Sequence, residues 1–197
     1  MKQQQENFSC VVLAAGQSKR MQTDKLSLAW SNSTLLETAL VSLAPIHFRE
    51  KILVHRPGDD FAQELALHYG FLPIPNRDHK AGIHSSIRRG ILACRPRKYP
   101  YYIALADQPF LSTAHHQALL AAYNSKIKLL APCFQGVRGN PAILSHEFRE
   151  EILAEKDCDR GCAYLFARYP DQSMLIDFGD AAYVRDLDTP EDLACVK

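Results

Sequence analysis

Short apolar runs rich in β-branched and aliphatic residues alternate along this chain with longer stretches whose apolar positions recur at helical spacing. The short runs predict strands over 8–13, 51–55, 72–74, 101–106, 128–131 and 173–176. The longer stretches predict helices over 35–44, 61–69, 84–94, 113–123, 147–155 and 161–169. Strand and helix in alternation is the pattern of an α/β fold with a mostly parallel central sheet covered by helices. Pro57-Gly58, Pro73, Pro75, Pro96, Pro100, Pro109 and Pro170 fall at the ends of these elements, where they read as loop punctuation. With no internal repeat and no linker-like stretch, residues 1–197 are expected to form one domain, with 1–7 flexible.

Composition narrows the classes of ligand. The 23 basic and 22 acidic side chains leave a formal net charge of +1, so no general field attracts nucleic acid or an anionic membrane. An anionic ligand must then be held by local groups. No apolar run approaches the roughly 20 residues that span a bilayer, and MKQQQEN lacks the apolar core of a secretory signal, so the expected location is the cytoplasm. The six cysteines, at 10, 94, 133, 158, 162 and 195, lack the spacing of a zinc ribbon or a disulfide framework and are read as reduced thiols. Cys158 and Cys162 can share a helix face, but two sulfurs without further ligands make a poor metal site.

Open parallel sheets bind ligands beyond the carboxyl ends of their strands, and three segments fall there. The first strand runs into LAAGQSKRM, 13–21, with Lys25 shortly after. Ala14, Ala15 and Gly16 leave the backbone approachable, so that its exposed N–H groups can meet phosphate oxygens. Arg20 offers a planar fork and Lys25 a point charge to a triphosphate. The plainer alternative is a tight turn followed by solvated cations. With a single glycine, the loop matches neither the dinucleotide fingerprint nor the phosphate loop that ends in Gly-Lys-Ser/Thr.

The second segment, YYIALADQPFL, closes an apolar strand on Asp107, whose hard oxygens suit Mg²⁺ held jointly with substrate phosphates. The alternative is an Asp that organises the turn before Pro109, with Ser112 capping the next helix. In the third, RDLDTPEDL, Asp186 and Asp188 lie two residues apart on an extended stretch and point to one side. Two such carboxylates repel unless a cation lies between them. Asp188 or Thr189 can also cap a helix starting at Pro190.

In this order and spacing, LAAGQSKRM with Lys25, LADQPFL, GVRGNPAIL and DLDTPEDL resemble the nucleotidyltransferases that attach a nucleotide to molybdopterin, most closely the molybdenum cofactor cytidylyltransferases. The resemblance runs from about Cys10 to Leu193. It implies a three-layer, Rossmann-like nucleotidyltransferase fold and a Mg²⁺-dependent transfer of CMP from CTP to a molybdopterin-type acceptor, with pyrophosphate released. Leu13, Ala14, Ala15, Gly16 and Ser18 with Arg20 and Lys25 would hold the nucleotide, with Gly82, Ser86 and Asp107 beside it, and Asp107 and Asp188 would hold Mg²⁺. Arg138, Gly139 and Asn140 would face the acceptor, and a molybdenum hydroxylase or its chaperone would receive the product.

Two departures stand out: Gln22 replaces the usual Gly, and the Gly-Asp-x-Gly-Ala-Arg element reads CDRGCA at 158–163, without its final Arg. Leu-Ala-Ala-Gly and Asp-Gln-Pro resemble the cytidylyl rather than the guanylyl form, which stays the first alternative. A non-catalytic cofactor carrier and an NAD(P)H-dependent oxidoreductase are the readings from other classes. The eight histidines form no metal constellation. His115-His116 reads as an exposed polar face, His84 as a helix cap or solvent-facing ring, and Trp30 as core packing beneath the first loop.

Overall fold

The computed structural model describes residues 7–16 and 25–187. Strand β1 (Ser9–Ala14) is buried along its whole length, and its alternation sets the layers. Cys10, Val12 and Ala14 enter one apolar cluster, Val11 and Leu13 another. The first cluster takes in Leu36, Leu40 and Leu43 of α1 (Leu35–Leu43), Ala62 and Ala66 of α2 (Asp60–His68) and Leu119 of α4 (Thr113–Ala122). The second takes in Ile87 and Ile91 of α3 (Ile83–Ala93), Ile152 of α5 (Arg149–Ala154) and Leu165 of α6 (Ala163–Arg168). A strand with apolar side chains on both faces needs cover on both, and the result is three layers, helices–sheet–helices.

The main sheet runs β10 (Ser173–Asp177), β7 (Leu129–Phe134), β9 (Ala142–Leu144), β6 (Tyr101–Leu105), β1, β4 (Glu50–His55), β5 (Leu72–Pro75), and β8 (Val137–Arg138) pairs with β7. All neighbours along it are parallel except β9, which lies antiparallel between β6 and β7, and β8. A separate ribbon pairs β2 (Ala29–Trp30) with β3 (Ser33–Thr34). The six expected strands and six expected helices all form, with shifted ends. The four short strands β2, β3, β8 and β9 were not expected.

The chain first adds β4 and β5 on one side of β1 and then crosses to place β6 on the other. The crevice between the carboxyl ends of β1 and β6 is therefore the topological switch point, where ligands of open α/β sheets bind. The Ala106 N–H donates to the Leu13 carbonyl at 3.1 Å and carries the pairing to the very edge of that crevice.

Helix starts follow local chemistry. Thr34 accepts from the Glu37 N–H at the head of α1, and Asp59 from the Ala62 N–H at the head of α2. Helix α4 begins with a capping box in which His115 takes the place usual for Glu or Gln: the Ser112 N–H donates to His115 Nδ1 at 2.9 Å. Among the described residues no helix is long and apolar enough to cross a membrane.

Candidate active site at the switch point

Where β1 ends, Ala14 and Ala15 are buried and Gly16 is exposed, with no atom of the described residues within 4 Å of the place a Cβ would occupy. The next described residue, Lys25, starts a 3₁₀ turn (Lys25–Ser27) and is 6 % exposed. An ammonium so far from water needs an anion beside it. It finds Asp107, 82 residues on, at the carboxyl end of β6: Lys25 Nζ stands 3.1 Å from Asp107 Oδ2. The Asp107 side chain keeps 29 % exposure, so the carboxylate can reach a ligand while its other side is held. Lys25 and Asp107, assigned to the nucleotide and to metal from separate segments, are thus one unit. Ser18, Arg20 and Asp188 lie outside the described residues.

Asp107 is followed by Gln108, which is 4 % exposed. Its Nε2 donates to the Tyr183 carbonyl at 3.3 Å, and its Oε1, also buried, has no hydrogen-bond partner among the described residues. The same carbonyl accepts from the Asn140 N–H at 3.0 Å. Gly139 sits against it so closely that a Cβ would lie 2.2 Å from the oxygen. The expected acceptor segment is therefore joined to the residue beside Asp107 through one backbone oxygen. Arg138, its third member, stacks over Phe166, 4.8 Å from ring centroid to guanidinium carbon. Burial pushes the Arg138 guanidinium below its usual range.

Tyr183 belongs to a 3₁₀ turn (Ala181–Tyr183) fastened to α4. Its hydroxyl donates to the His115 carbonyl at 2.9 Å, and His115 Nε2 lies 2.8 Å from Asp180 Oδ2. Asp180 caps the turn through the Ala182 N–H, and that bond together with His115 holds its carboxyl below the usual range. Asp186, expected beside Asp188, is exposed.

Gly82 and Ser86 lie in a second cluster. Asn76 is 1 % exposed and donates through Nδ2 to Ser85 Oγ at 2.9 Å and Ser86 Oγ at 3.0 Å. Its N–H donates to the His55 carbonyl, which ties the head of α3 to the end of β4. Gly82 has φ +104, and a Cβ there would fall 2.6 Å from the Cys158 carbonyl group. The altered 158–163 element is thus packed directly on the residue expected beside the nucleotide. His84 is fully buried there rather than solvent-facing: Nε2 lies 2.9 Å from the Ile152 carbonyl and Nδ1 3.3 Å from that of Gly161. Helix α6 starts after Cys162, so Cys158 and Cys162 share no helix face. Burial pushes the Cys162 thiol up to about 12, and all five described cysteines are free.

Two further expectations are corrected. His116 is 2 % exposed, inside a closed polar chain: it receives the Tyr102 hydroxyl at Nδ1 (2.7 Å) and meets Ser42 Oγ through Nε2 (3.0 Å), while Ser42 donates to the Ala39 carbonyl. Only the neutral ring fits, and burial lowers its pKa to about 3. Trp30 is half-buried rather than core, and its ring meets Phe110 edge-on at 5.3 Å, in the loop after Asp107. Sequence reasoning missed Asn76, the Tyr183 carbonyl and the role of Gln108. The one available signal was the position of Asn76 at the end of an apolar strand.

Among known proteins, the molybdenum cofactor cytidylyltransferase of Escherichia coli (strain K12) is 22% identical over 191 residues, covering 96% of this chain and 95% of that one. The solved structure of Rv0371c from Mycobacterium tuberculosis H37Rv matches with a TM-score of 0.80 at 22% identity and covers 98% of both chains. Its complex with manganese matches at 0.73 and 18% identity, covering 96% of this chain and 97% of that one. The pattern of the MobA-like NTP transferase domain matches residues 10–173. That match spans most of the chain, which therefore belongs to the MobA-like NTP transferase domain family and is a nucleotidyltransferase.

Proposed function

We propose that this enzyme transfers CMP from CTP to a molybdopterin-type cofactor in the cytoplasm, with Mg²⁺, and releases pyrophosphate. The observation that carries the reading is the Lys25–Asp107 pair, 3.1 Å apart at the switch point between β1 and β6. A terminal phosphate oxygen of the acceptor forms a bond to the α-phosphorus, and the bond from that phosphorus to the bridging oxygen of the β-phosphate breaks in line. Pyrophosphate leaves with the electron pair. A phosphate nucleophile is already ionised at neutral pH, so the protein needs no covalent intermediate. Its work is positioning and charge stabilisation.

Asp107 fits a magnesium ion because its carboxylate is held on one side and open on the other. Mg²⁺ takes one or two carboxylates together with substrate phosphates, and Asp188 is the second carboxylate in this reading. Such an ion neutralises charge on the transferred phosphate. Lys25 holds Asp107 in place and would neutralise the triphosphate together with Arg20, and the backbone at Ala14–Gly16 would lie along the nucleotide. Gly82 and Ser86 border the base; Arg138, Gly139 and Asn140 border the acceptor.

The reading is tested by turnover of CTP, GTP and ATP in competition, with molybdopterin and Mg²⁺ present and pyrophosphate as readout. Preference for CTP is expected. Equal use of all three removes the cytidylyl assignment, and preference for GTP moves the enzyme to the guanylyl branch.

A further inference from the structure

The Gln108 amide is oddly placed for a residue kept for stability. One end is used weakly, by a 3.3 Å bond from Nε2 to the Tyr183 carbonyl. The other end, Oε1, is buried without a partner among the described residues. An unmade buried acceptor costs free energy, whereas an apolar group of the same shape at that place carries no such cost. Folding alone would favour Met or Leu here. What the amide does accomplish is geometric: it ties the residue next to Asp107 to the oxygen that also holds the Asn140 N–H and packs on Gly139.

We infer that Gln108 is a positioning residue that sets the acceptor segment 138–140 at a fixed distance from Asp107, acting through the Tyr183 carbonyl. The turn carrying that carbonyl is itself anchored on α4 by the Tyr183 hydroxyl and by the His115–Asp180 pair. The carbonyl therefore behaves as a fixed point, and the two segments bonded to it inherit its position. In-line transfer depends on such placement, because a displacement of about 1 Å at the reacting atoms costs on the order of 10²-fold in rate.

The inference rests on the transfer reaction proposed above, and its test has one arm that does not. In Gln108→Met the orphaned oxygen is gone, so the melting temperature should stay within about 2 °C of the parent or rise. The kcat should fall on the order of 10-fold and the KM for molybdopterin should rise about 10-fold, with the KM for CTP unchanged, the signature of a misplaced acceptor. Independently of any substrate, amide exchange at Gly139 and Asn140 should quicken about 10-fold while β1 amides are unmoved. A lower melting temperature with an unchanged acceptor KM would make Gln108 a structural residue. Unchanged exchange at Asn140 would overturn the inference even if the parent enzyme proved to use another acceptor. Absence of transfer by the parent enzyme, with quickened exchange in the variant, would overturn the assigned reaction and leave the positioning role standing.

Discussion

The two sides of the switch point are built on opposite principles. The proposed nucleotide side is open: Gly16 has nothing among the described residues within 4 Å of a would-be Cβ, and Lys25 meets the Asp107 carboxylate, which stays partly exposed. The acceptor side is closed: Gly139 has a carbonyl oxygen 2.2 Å from the same imaginary atom, and neutral hydrogen bonds converge there on Tyr183. One side leaves space for a polyanion and supplies charge, and the other fixes distance by packing. A glycine therefore means different things in the two places. In the proposed reading its small size at Gly16 serves the ligand, while at Gly139 it serves the fold.

The largest effect should follow from breaking the charged side. Asp107→Asn keeps the volume and removes the charge, and turnover should fall by at least about 10³-fold, the scale of losing a main electrostatic stabiliser. Steady-state pyrophosphate release at limiting Mg²⁺ checks it. Near-parental turnover there would remove Asp107 from the metal site.

The comparison of glycines gives a smaller, paired effect. Gly139→Ala forces the 181–184 turn to move and should destabilise the fold by about 1–3 kcal/mol, as overpacking does. Gly16→Ala meets no atom of the described residues within 4 Å and should stay within about 0.5 kcal/mol of the parent. Urea unfolding of both variants decides the matter, and equal losses would erase the distinction between an open and a closed side.

Much of this division could be read from the chain itself. Apolar runs ending at Leu13 and at Ala106 placed Gly16 and Asp107 at strand ends, because a fully buried strand needs an unbroken apolar run and its polar punctuation marks the edge. The pairing of Lys25 with Asp107 was not legible, since it depends on β6 lying beside β1, a contact across 82 residues. The antiparallel β9 escaped because Ala142–Leu144 is too short to show a period. His84 and His116 were misjudged for one reason. Each is a polar residue at the start of a helix, and the partners that allow its burial come from Ile152 and Gly161 in one case and Ser42 and Tyr102 in the other.

The smallest effect concerns the scaffold beneath the acceptor side, where two adjacent histidines of α4 have opposite roles. His115 pairs with Asp180, and His116 is kept neutral inside the Tyr102–His116–Ser42 chain. The ordinary His116 value of 6.5 applies to the unfolded chain, and burial takes it to about 3 in the fold. Between those values the unfolded state binds a proton that the native ring refuses, so stability is complete above 6.5 and is lost as the pH falls towards 3. One pH unit below the unfolded value, the loss from this residue is about 1.4 kcal/mol. His116→Gln has no such proton to bind, and its unfolding free energy should fall less steeply than that of the parent between pH 7 and 5.5. Parallel profiles would mean that the ring accepts a proton in the folded state, and that the scaffold under the acceptor side is looser than its hydrogen bonds indicate.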